Sequence, residues 1–552
     1  MNKDFNKKKI FLYHSSVNGL LRLEMWFWFF VTALLLPLTR LSIVKAGDMI
    51  FSQEEISAVL LLVDSTLSTQ LGASYTTYKE DLTNEGYVVI EETVNSNTQP
   101  PQIKEIIYAY YSSTIKLSGV ILIGNLKAPY AIVRTGDYSN PDSLKVWLSL
   151  DPVDMYYCDL DGNWDHFTKE EFHDIISNPP SNVTEITQYS SCGTFQDEYL
   201  VSFDKEKEWD YQSITNKSRY SIEIWVARIM GHNLSIPGKT ETDILNDYFT
   251  WNHTFRTGRN KIYDTGYLLN AIGSGFNDQG MDYSGIFTDV VTGENVSRTT
   301  YLNYLQSESG SKLMYLTAHS WPKGHSLSDS SVITSDLLNI QKNVVFYLLN
   351  TCSACRWDEY VSDPVDPNYL GGLYVFDKSH TNGDYGLGAI GFTGVGGFNN
   401  LNYFTDYYYD NPGARYGEMY VFWFNQNQQI NFNMHNYVFL GDPTIGLDTP
   451  IEGTSVSDSP EQIKEYHLSQ NYPNPFNPTT NISFTIPNQC AISLKIYNIL
   501  GEEVDALINS NMLEAGHHRI TWDAVDLPSG IYFYQLEVAD HYTAIRKCVL
   551  MK

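Results

Sequence analysis

Two apolar runs in this chain each end on a side chain that can do chemistry. LMYLTAHSW (313–321) runs into His319, and NVVFYLLNTCSAC (343–355) runs into Cys352. An imidazole beside a thiol is the minimum apparatus for thiolate attack: the base takes the sulfur's proton and the thiolate is the nucleophile. A free thiol, with a pKa of about 8.5, is only slightly ionised at neutral pH, so a base or a cation must stand close to it. Both runs are rich in Val, Leu, Tyr and Phe and read as short buried strands. A buried strand that stops at a polar residue delivers that residue to the rim of its sheet. In open α/β sheets, ligands bind at the carboxyl rim. Two such strands side by side would place His319 and Cys352 on one rim.

The same residues admit other chemistries. Cys352 and Cys355 form C-x-x-C, the spacing of a thiol–disulfide pair. With His319 and His325 they also make a Cys₂His₂ zinc set. Glu223 opens the run EIWVARI and is a candidate to orient the imidazole; a solvated strand end is the plainer reading. The backbone N–H groups of Ser320 and Cys352 are the candidate oxyanion donors. The run Asp159-Leu160-Asp161-Gly162-Asn163-Trp164-Asp165 places oxygen ligands at alternate positions. It reads either as a structural calcium turn through Asp159, Asp161, Asn163 and Asp165 or as a plain Asx turn. No cofactor is expected for catalysis. No acid that would select a basic substrate residue is identifiable.

The elements that must position these groups alternate. ISAVLLLVD (56–64), YVVIEET (87–93), LSGVILIGN (117–125) and SIEIWVARI (221–229) read as strands. Between and after them, 76–87, 102–113 and 240–255 have helical spacing. That rhythm predicts a parallel sheet covered by helices. YDTGYLLNAIG (263–273), the His319 and Cys352 strands and GLGAIGFTGVGG (386–397) continue it, ending at NYVFLGDPTIGL (436–447). Residues 166–220 are polar, without clear period, and are expected to be an irregular insertion. Two α/β subdomains, 47–240 and 241–447, are followed by a polar linker at 448–466. After it, NYPNPFNPTT (471–480) is proline punctuation that cannot lie inside a helix. Short alternating strands then predict a small all-β sandwich over 467–552.

With 36 basic and 64 acidic residues, the net charge of −28 disfavours nucleic acid or an anionic membrane as partner. Lys7, Lys8, Lys9 and Arg22 precede the apolar run MWFWFFVTALLLPL (25–38), which is too short for a comfortable membrane span. Residues 1–46 therefore read as a signal peptide, with cleavage after Ala46 and no stable span afterwards, the other reading being a retained membrane anchor. Six cysteines are few for 552 residues, so the fold does not depend on a disulfide framework. Cys490 and Cys548 share the terminal domain and are candidates to pair.

The tail segments NYPNPFNPTT, LKIYNILGEEV and LPSGIYFYQLEV resemble the C-terminal sorting domain of the Por (type IX) secretion system. That resemblance implies export to the cell surface or medium, with the type IX machinery as partner. VILIGN (120–125), YYCDLDGNWD (156–165), EIWVARI (223–229), the His319 and Cys352 blocks, GAIGFTG (388–394) and FLGDPTIGL (439–447) resemble, in order, the gingipain-type cysteine peptidases. The resemblance implies a caspase-like open sheet and hydrolysis of protein or peptide substrates through a thioester acyl-enzyme, with the catalytic pair carried onto His319 and Cys352. The family's histidine is usually followed by glycine; Ser320 stands here, and Thr351 precedes the cysteine where a small residue is more usual. The alternatives are an inactive surface or adhesion protein on a peptidase fold and a C-x-x-C oxidoreductase.

Overall fold

The computed structural model describes residues 57–551 except 114, 138–143, 163, 180–182, 189–198, 204–220, 259–264, 273–285, 288, 309, 359–365, 381–383, 395, 397–401, 412, 428–435, 448–465, 469–470, 472–475, 477 and 539–540. The signal segment 1–46 and all of the linker except Tyr466 lie outside the described residues. In chain order the strands are β1 (Ser57–Asp64), β2 (Val88–Val94), β3 (Lys116–Ile123), β4 (Tyr130–Asp137), β5 (Leu144–Pro152), β6 (Trp164–Phe167), β7 (Val183–Gln188), β8 (Leu200–Phe203), β9 (Trp225–Ile229), β10 (Gly266–Asn270), β11 (Asp289–Thr292), β12 (Ser311–Trp321), β13 (Gly324–Ser326), β14 (Ser331–Ile333), β15 (Val344–Thr351), β16 (Gly388–Phe392) and β17 (Tyr437–Gly441).

Ten of them lie in one sheet in the order β11-β10-β12-β15-β16-β17-β9-β3-β1-β2, with β13 and β14 forming an appended hairpin. Neighbours run parallel except at β16 and β17, where two parallel halves meet antiparallel. The carboxyl ends of β12, β15 and β16 therefore share an edge with the amino ends of β17, β9 and β3. Buried on both faces, the central strands are almost wholly apolar: β15 is buried at every position, as is β9. Strands from both expected subdomains share this sheet and one core.

Helices cover the sheet as the alternation predicts. Helix α1 (Ala73–Asn84) packs on α3 (Glu241–Arg256) through Tyr75 and Tyr78, whose rings lie 5.2 and 5.0 Å from Phe249. Between them in sequence, α2 (Pro100–Tyr111) begins with proline, whose missing N–H costs nothing in a first turn. Thr240 caps α3: its hydroxyl accepts the Asp243 N–H, and the Asp243 carboxylate accepts the Thr240 N–H at 2.9 Å. Further on come α4 (Arg298–Leu305) and α5 (Leu370–Phe376), the latter buried along its whole length.

The expectation of an irregular insertion at 166–220 is corrected. In the described part of that segment, β7 and β8, with β6 just before them, join β4 and β5 in a five-stranded sheet, order β6-β8-β4-β5-β7. Its register comes from distant partners, such as Tyr130 with Leu200, which local periodicity does not reveal.

The terminal domain has a separate core and two sheets, as expected of a sandwich. Strands β18 (His467–Leu468), β19 (Thr479–Ile486) and β22 (Gly516–Asp523) form one; β21 (Glu503–Leu513), β20 (Cys490–Asn498), β23 (Gly530–Val538) and β24 (Tyr542–Leu550) form the other. The proline-rich segment is anchored at Phe476, whose N–H donates to the Val549 carbonyl and whose carbonyl accepts the Met551 N–H, both at 2.9 Å. Cys490 and Cys548 do not pair. They lie at opposite ends of strands separated by β23: Cys548 is level with Tyr532, and Tyr532 with Asn498, eight residues from Cys490. A disulfide needs Cα atoms within about 7 Å.

Across the main sheet, the guanidinium of Arg228 on β9 is fully buried and donates to both carboxylate oxygens of Asp154 at 2.6 Å. Removing one partner of such a pair leaves a charge uncompensated. Asp154→Ala is expected to cost about 3–5 kcal/mol in urea unfolding; a loss below about 1 kcal/mol would show that Arg228 is satisfied without it.

Candidate active site

The two chemistry-bearing strands are neighbours. β12 and β15 pair in parallel, Leu316 with Leu349, Thr317 with Asn350 and Ala318 with Thr351. His319 and Cys352 are the next residue on each strand line, at the carboxyl edge, as the two apolar runs predict. Beneath them Asn350 Nδ2 donates to the hydroxyls of Tyr315 (2.7 Å) and Thr317 (3.1 Å), locking the two strands side by side. The His319 ring is exposed and has no hydrogen-bond partner among the described residues; the Cys352 thiol is half-buried and donates to the Gly396 carbonyl at 3.9 Å. Catalytic hydrogen bonds are commonly open without substrate and tighten when it binds.

Cys352 sits where the chain leaves β15 in a sharp turn. Ser353, the next residue, has φ 54°, a left-handed conformation that non-glycine residues seldom adopt. The turn is held from several sides: Ser353 N–H donates to Gly394 O (2.8 Å), Cys355 N–H to Phe392 O (3.0 Å) and Arg356 N–H to Ser353 O (3.0 Å). Arg356 reaches down to Asp151 at the end of β5 (2.6 Å) and to the Leu150 carbonyl (2.8 Å). Ser149 and Asn436 also donate to Asp151, at 2.9 and 3.0 Å. Burial pushes the Asp151 carboxyl up to about 6, against the pull of Arg356. Gly394 is required here, because a Cβ on it would lie 2.0 Å from Asp151 Oδ2.

His319 lies at the mouth of a hairpin, where β12 turns into β13 and pairs His319 with Ser326, Ser320 with His325 and Trp321 with Gly324. Strand alternation puts His319 and Trp321, both exposed, on one face and Ser320 on the other. Ser320 Oγ lies 2.6 Å from His325 Nδ1, and His325 Nε2 lies 2.9 Å from the Tyr374 hydroxyl. Burial pushes the His325 ring down to about 3, so it is neutral.

The other expected site residues fall elsewhere. Glu223 lies just before β9, on the active edge but four strand spacings from β12, about 19 Å at the usual inter-strand distance. Its carboxylate accepts the Leu160 N–H at 2.6 Å, so the structure does not bring it to His319. Burial raises the Glu223 carboxyl against that bond. Asp159, Asp161 and Glu223 have carboxylate oxygens within 4.8 Å of one another; Asp165 is not among them, and Asn163 lies outside the described residues. The zinc set does not assemble, because both ring nitrogens of His325 are engaged by Ser320 and Tyr374. The redox pair is disfavoured too: Cys355 is fully buried against Gly371 and Gly391, and burial pushes its thiol up. Asp151, Arg356 and α5 are not among the residues that the sequence pattern singles out. Arg356, four residues after the Cys352 thiol, carried the one visible signal: a fixed charge close in sequence to a reactive side chain.

A thiol and an imidazole at one carboxyl edge of an open α/β sheet define the layout of a cysteine-type hydrolase. The chain belongs to peptidase family C25, whose profile matches residues 54–448, and it is a cysteine endopeptidase. Residues 470–551 match the secretion system C-terminal sorting domain, so the enzyme is exported through the type IX system to the cell surface or medium. Similar solved structures include one described as "Structure of Protease" (14% identity, TM-score 0.44, covering 89% of this chain and 97% of that one). Another is the Arg specific cysteine proteinase gingipain R (10% identity, TM-score 0.46, 90% and 99%). A third is the complex of Porphyromonas gingivalis RgpB pro- and mature domains (10% identity, TM-score 0.44, 90% and 100%). No curated protein matches in sequence. Family membership favours the peptidase over the inactive surface protein and the oxidoreductase. Among the described residues no helix is long and apolar enough to cross a membrane.

The neutral His325 has a pH consequence. Its folded pKa of about 3 lies below the unfolded value of about 6.5. The unfolded chain therefore takes up a proton that the folded one refuses, and stability present above pH 6.5 is lost as pH falls towards 3. One proton amounts to about 1.4 kcal/mol per pH unit. His325→Gln is expected to flatten the acid limb of stability between pH 4 and 6 by up to that slope, measured by denaturant unfolding; an unchanged slope would show that the ring is protonated in the fold.

Proposed function

We propose that Cys352 is the nucleophile of this peptidase and His319 its general base and acid. The observation that carries the reading is the parallel register of β12 and β15, whose last pair, Ala318 with Thr351, lies one residue before each reactive side chain. His319 takes the Cys352 proton and the thiolate adds to the peptide carbonyl. The tetrahedral oxyanion is received by the backbone N–H groups of Ser320 and Cys352; losing one such donor typically costs about 3 kcal/mol. The intermediate collapses by breaking the C–N bond, and the His319 imidazolium protonates the leaving amine. A thioester remains. Water, deprotonated by His319, adds to it, and the C–S bond breaks to release the acid and restore the thiol. Protein chains are the substrates the family implies.

The acidic turn supports a second reading, a structural calcium site at Asp159, Asp161 and Glu223. The three carboxylates converge, as a hard cation requires. Burial raises the carboxyls of Asp159 and Glu223, which favours a compensating cation. Part of the donor set is committed: Asp159 accepts from Trp164 Nε1 at 3.1 Å, Glu223 accepts from Leu160, and the Lys104 ammonium binds the Asp159 carbonyl at 2.6 Å.

Cys352→Ala and His319→Ala are expected to abolish hydrolysis of labelled casein, whereas Cys355→Ala retains it. Activity that survives in Cys352→Ala and dies in Cys355→Ala would move the nucleophile to the other sulfur. Millimolar calcium is expected to raise the melting temperature of the wild type but not of Asp161→Asn; equal shifts in both would place any bound calcium elsewhere.

A further inference from the structure

We propose that helix α5 sets the geometry of the dyad, with Ser320, His325 and Tyr374 as positioning residues. The proposal rests on the dyad reading above. The first N–H groups of a helix have no partner inside it. In α5 two consecutive ones are spent on the two catalytic segments. Leu370 N–H donates to Pro322 O, in the turn of the hairpin that carries His319, and Gly371 N–H donates to Ala354 O, in the turn that carries Cys352, both at 2.8 Å. The thiol segment and the imidazole segment thus hang on adjacent peptide units of one fully buried helix. The close fit needs glycine: a Cβ on Gly371 would lie 2.7 Å from Cys355 Sγ and 3.2 Å from Cys355 Cα.

One turn further along α5, Tyr374 makes a second attachment. Its hydroxyl bonds both to Tyr301 of α4 and to His325 Nε2, and His325 Nδ1 bonds to Ser320 Oγ. A neutral imidazole donates from one nitrogen and accepts at the other. One direction satisfies every proton among the described residues. Tyr301 O–H donates to Tyr374, Tyr374 O–H to Nε2, Nδ1–H to Ser320 Oγ, and Ser320 O–H to the Ala318 carbonyl 3.5 Å away. The reverse direction leaves the Tyr301 proton with no acceptor among them. The chain therefore runs from the core to the peptide unit that precedes His319, on the strand residue paired with Thr351. Successive hydrogen bonds polarise and strengthen one another. Serine at 320 is accordingly a structural participant, fixing by its side chain the peptide that leads into His319, next to the one that carries the proposed oxyanion donor.

The test uses the full-length protein with two readouts: turnover and KM on a casein-derived fluorogenic peptide, and the pH profile of Cys352 alkylation by iodoacetamide. Tyr374→Phe and Ser320→Ala are expected to lower kcat about tenfold or more, since misplacement by 1 Å can cost a hundredfold. KM should stay within about twofold, because no substrate contact is removed. Alkylation at neutral pH should slow and its profile shift. Ser320→Thr, which keeps the hydroxyl, should recover most of the loss; if Tyr374→Phe does not fold, Tyr301→Phe, which removes only the terminal donor, should show the same shift in weaker form. Wild-type kcat and alkylation in Tyr374→Phe and Ser320→Ala, with Cys352→Ala inactive, would overturn this proposal alone. Wild-type hydrolysis by Cys352→Ala would overturn the dyad and this proposal together.

Discussion

The register between β12 and β15 is the constraint on which the site depends. Side chains alternate along a strand, so a slip by one residue would turn His319 to the face that Ser320 now occupies and break the pairing of Ala318 with Thr351. Two things oppose such a slip. The eight buried positions of each strand would exchange faces of the core. Below the rim, Asn350 would lose its bonds to Tyr315 and Thr317. The placement of His319 and Cys352 is thereby made a by-product of core packing.

Fixed charge supports the Cys352 turn from outside the sheet. The Cys352 turn is left-handed at Ser353, and its shape is stabilised by Arg356 on Asp151 and by Trp357, whose ring lies 4.6 Å from the Arg228 guanidinium. Arg228 is itself held by Asp154. Two buried arginines and two buried aspartates thus tie the turn after β15 to the five-stranded sheet and to β9. Isolated charges in such an interior are costly; paired with good geometry they specify one arrangement of the loops.

Much of this was legible in the sequence because its signal is local. An apolar run closed by a polar residue gave β12 and β15, and the helix starting at Pro100 and the strand Ser57–Asp64 fell within two residues of their expected places. What was not legible is set by distant pairing. The order of strands places β9 next to β17, and this alone removes Glu223 from His319. The second sheet is built from short strands whose partners lie tens of residues away. Asp151 and Arg356 meet across some two hundred residues, and neither has a local pattern that betrays the other. Helix α5, with the sequence LGGLYVF, carries two glycines that argue against a helix by propensity; burial on every side overrides that. His325 looked like a metal ligand because its hydrogen-bond partners, Ser320 and Tyr374, were invisible until the hairpin and α5 came together.

The position of β17 has a consequence for how the enzyme is made. β17 is the last strand of the catalytic region, yet it sits in the middle of the sheet, closing β16 on one side and β9 on the other. Asn436, immediately before it, supplies the amide under Asp151 and the carbonyl that receives the Thr393 N–H. Until that segment emerges, the two parallel halves have no seam, and the floor beneath the thiol is incomplete. Pairings of such long sequence separation form slowly. A nascent or truncated polypeptide that stops short of residue 441 would therefore lack both the strand that joins the two halves and the amide that braces Asp151.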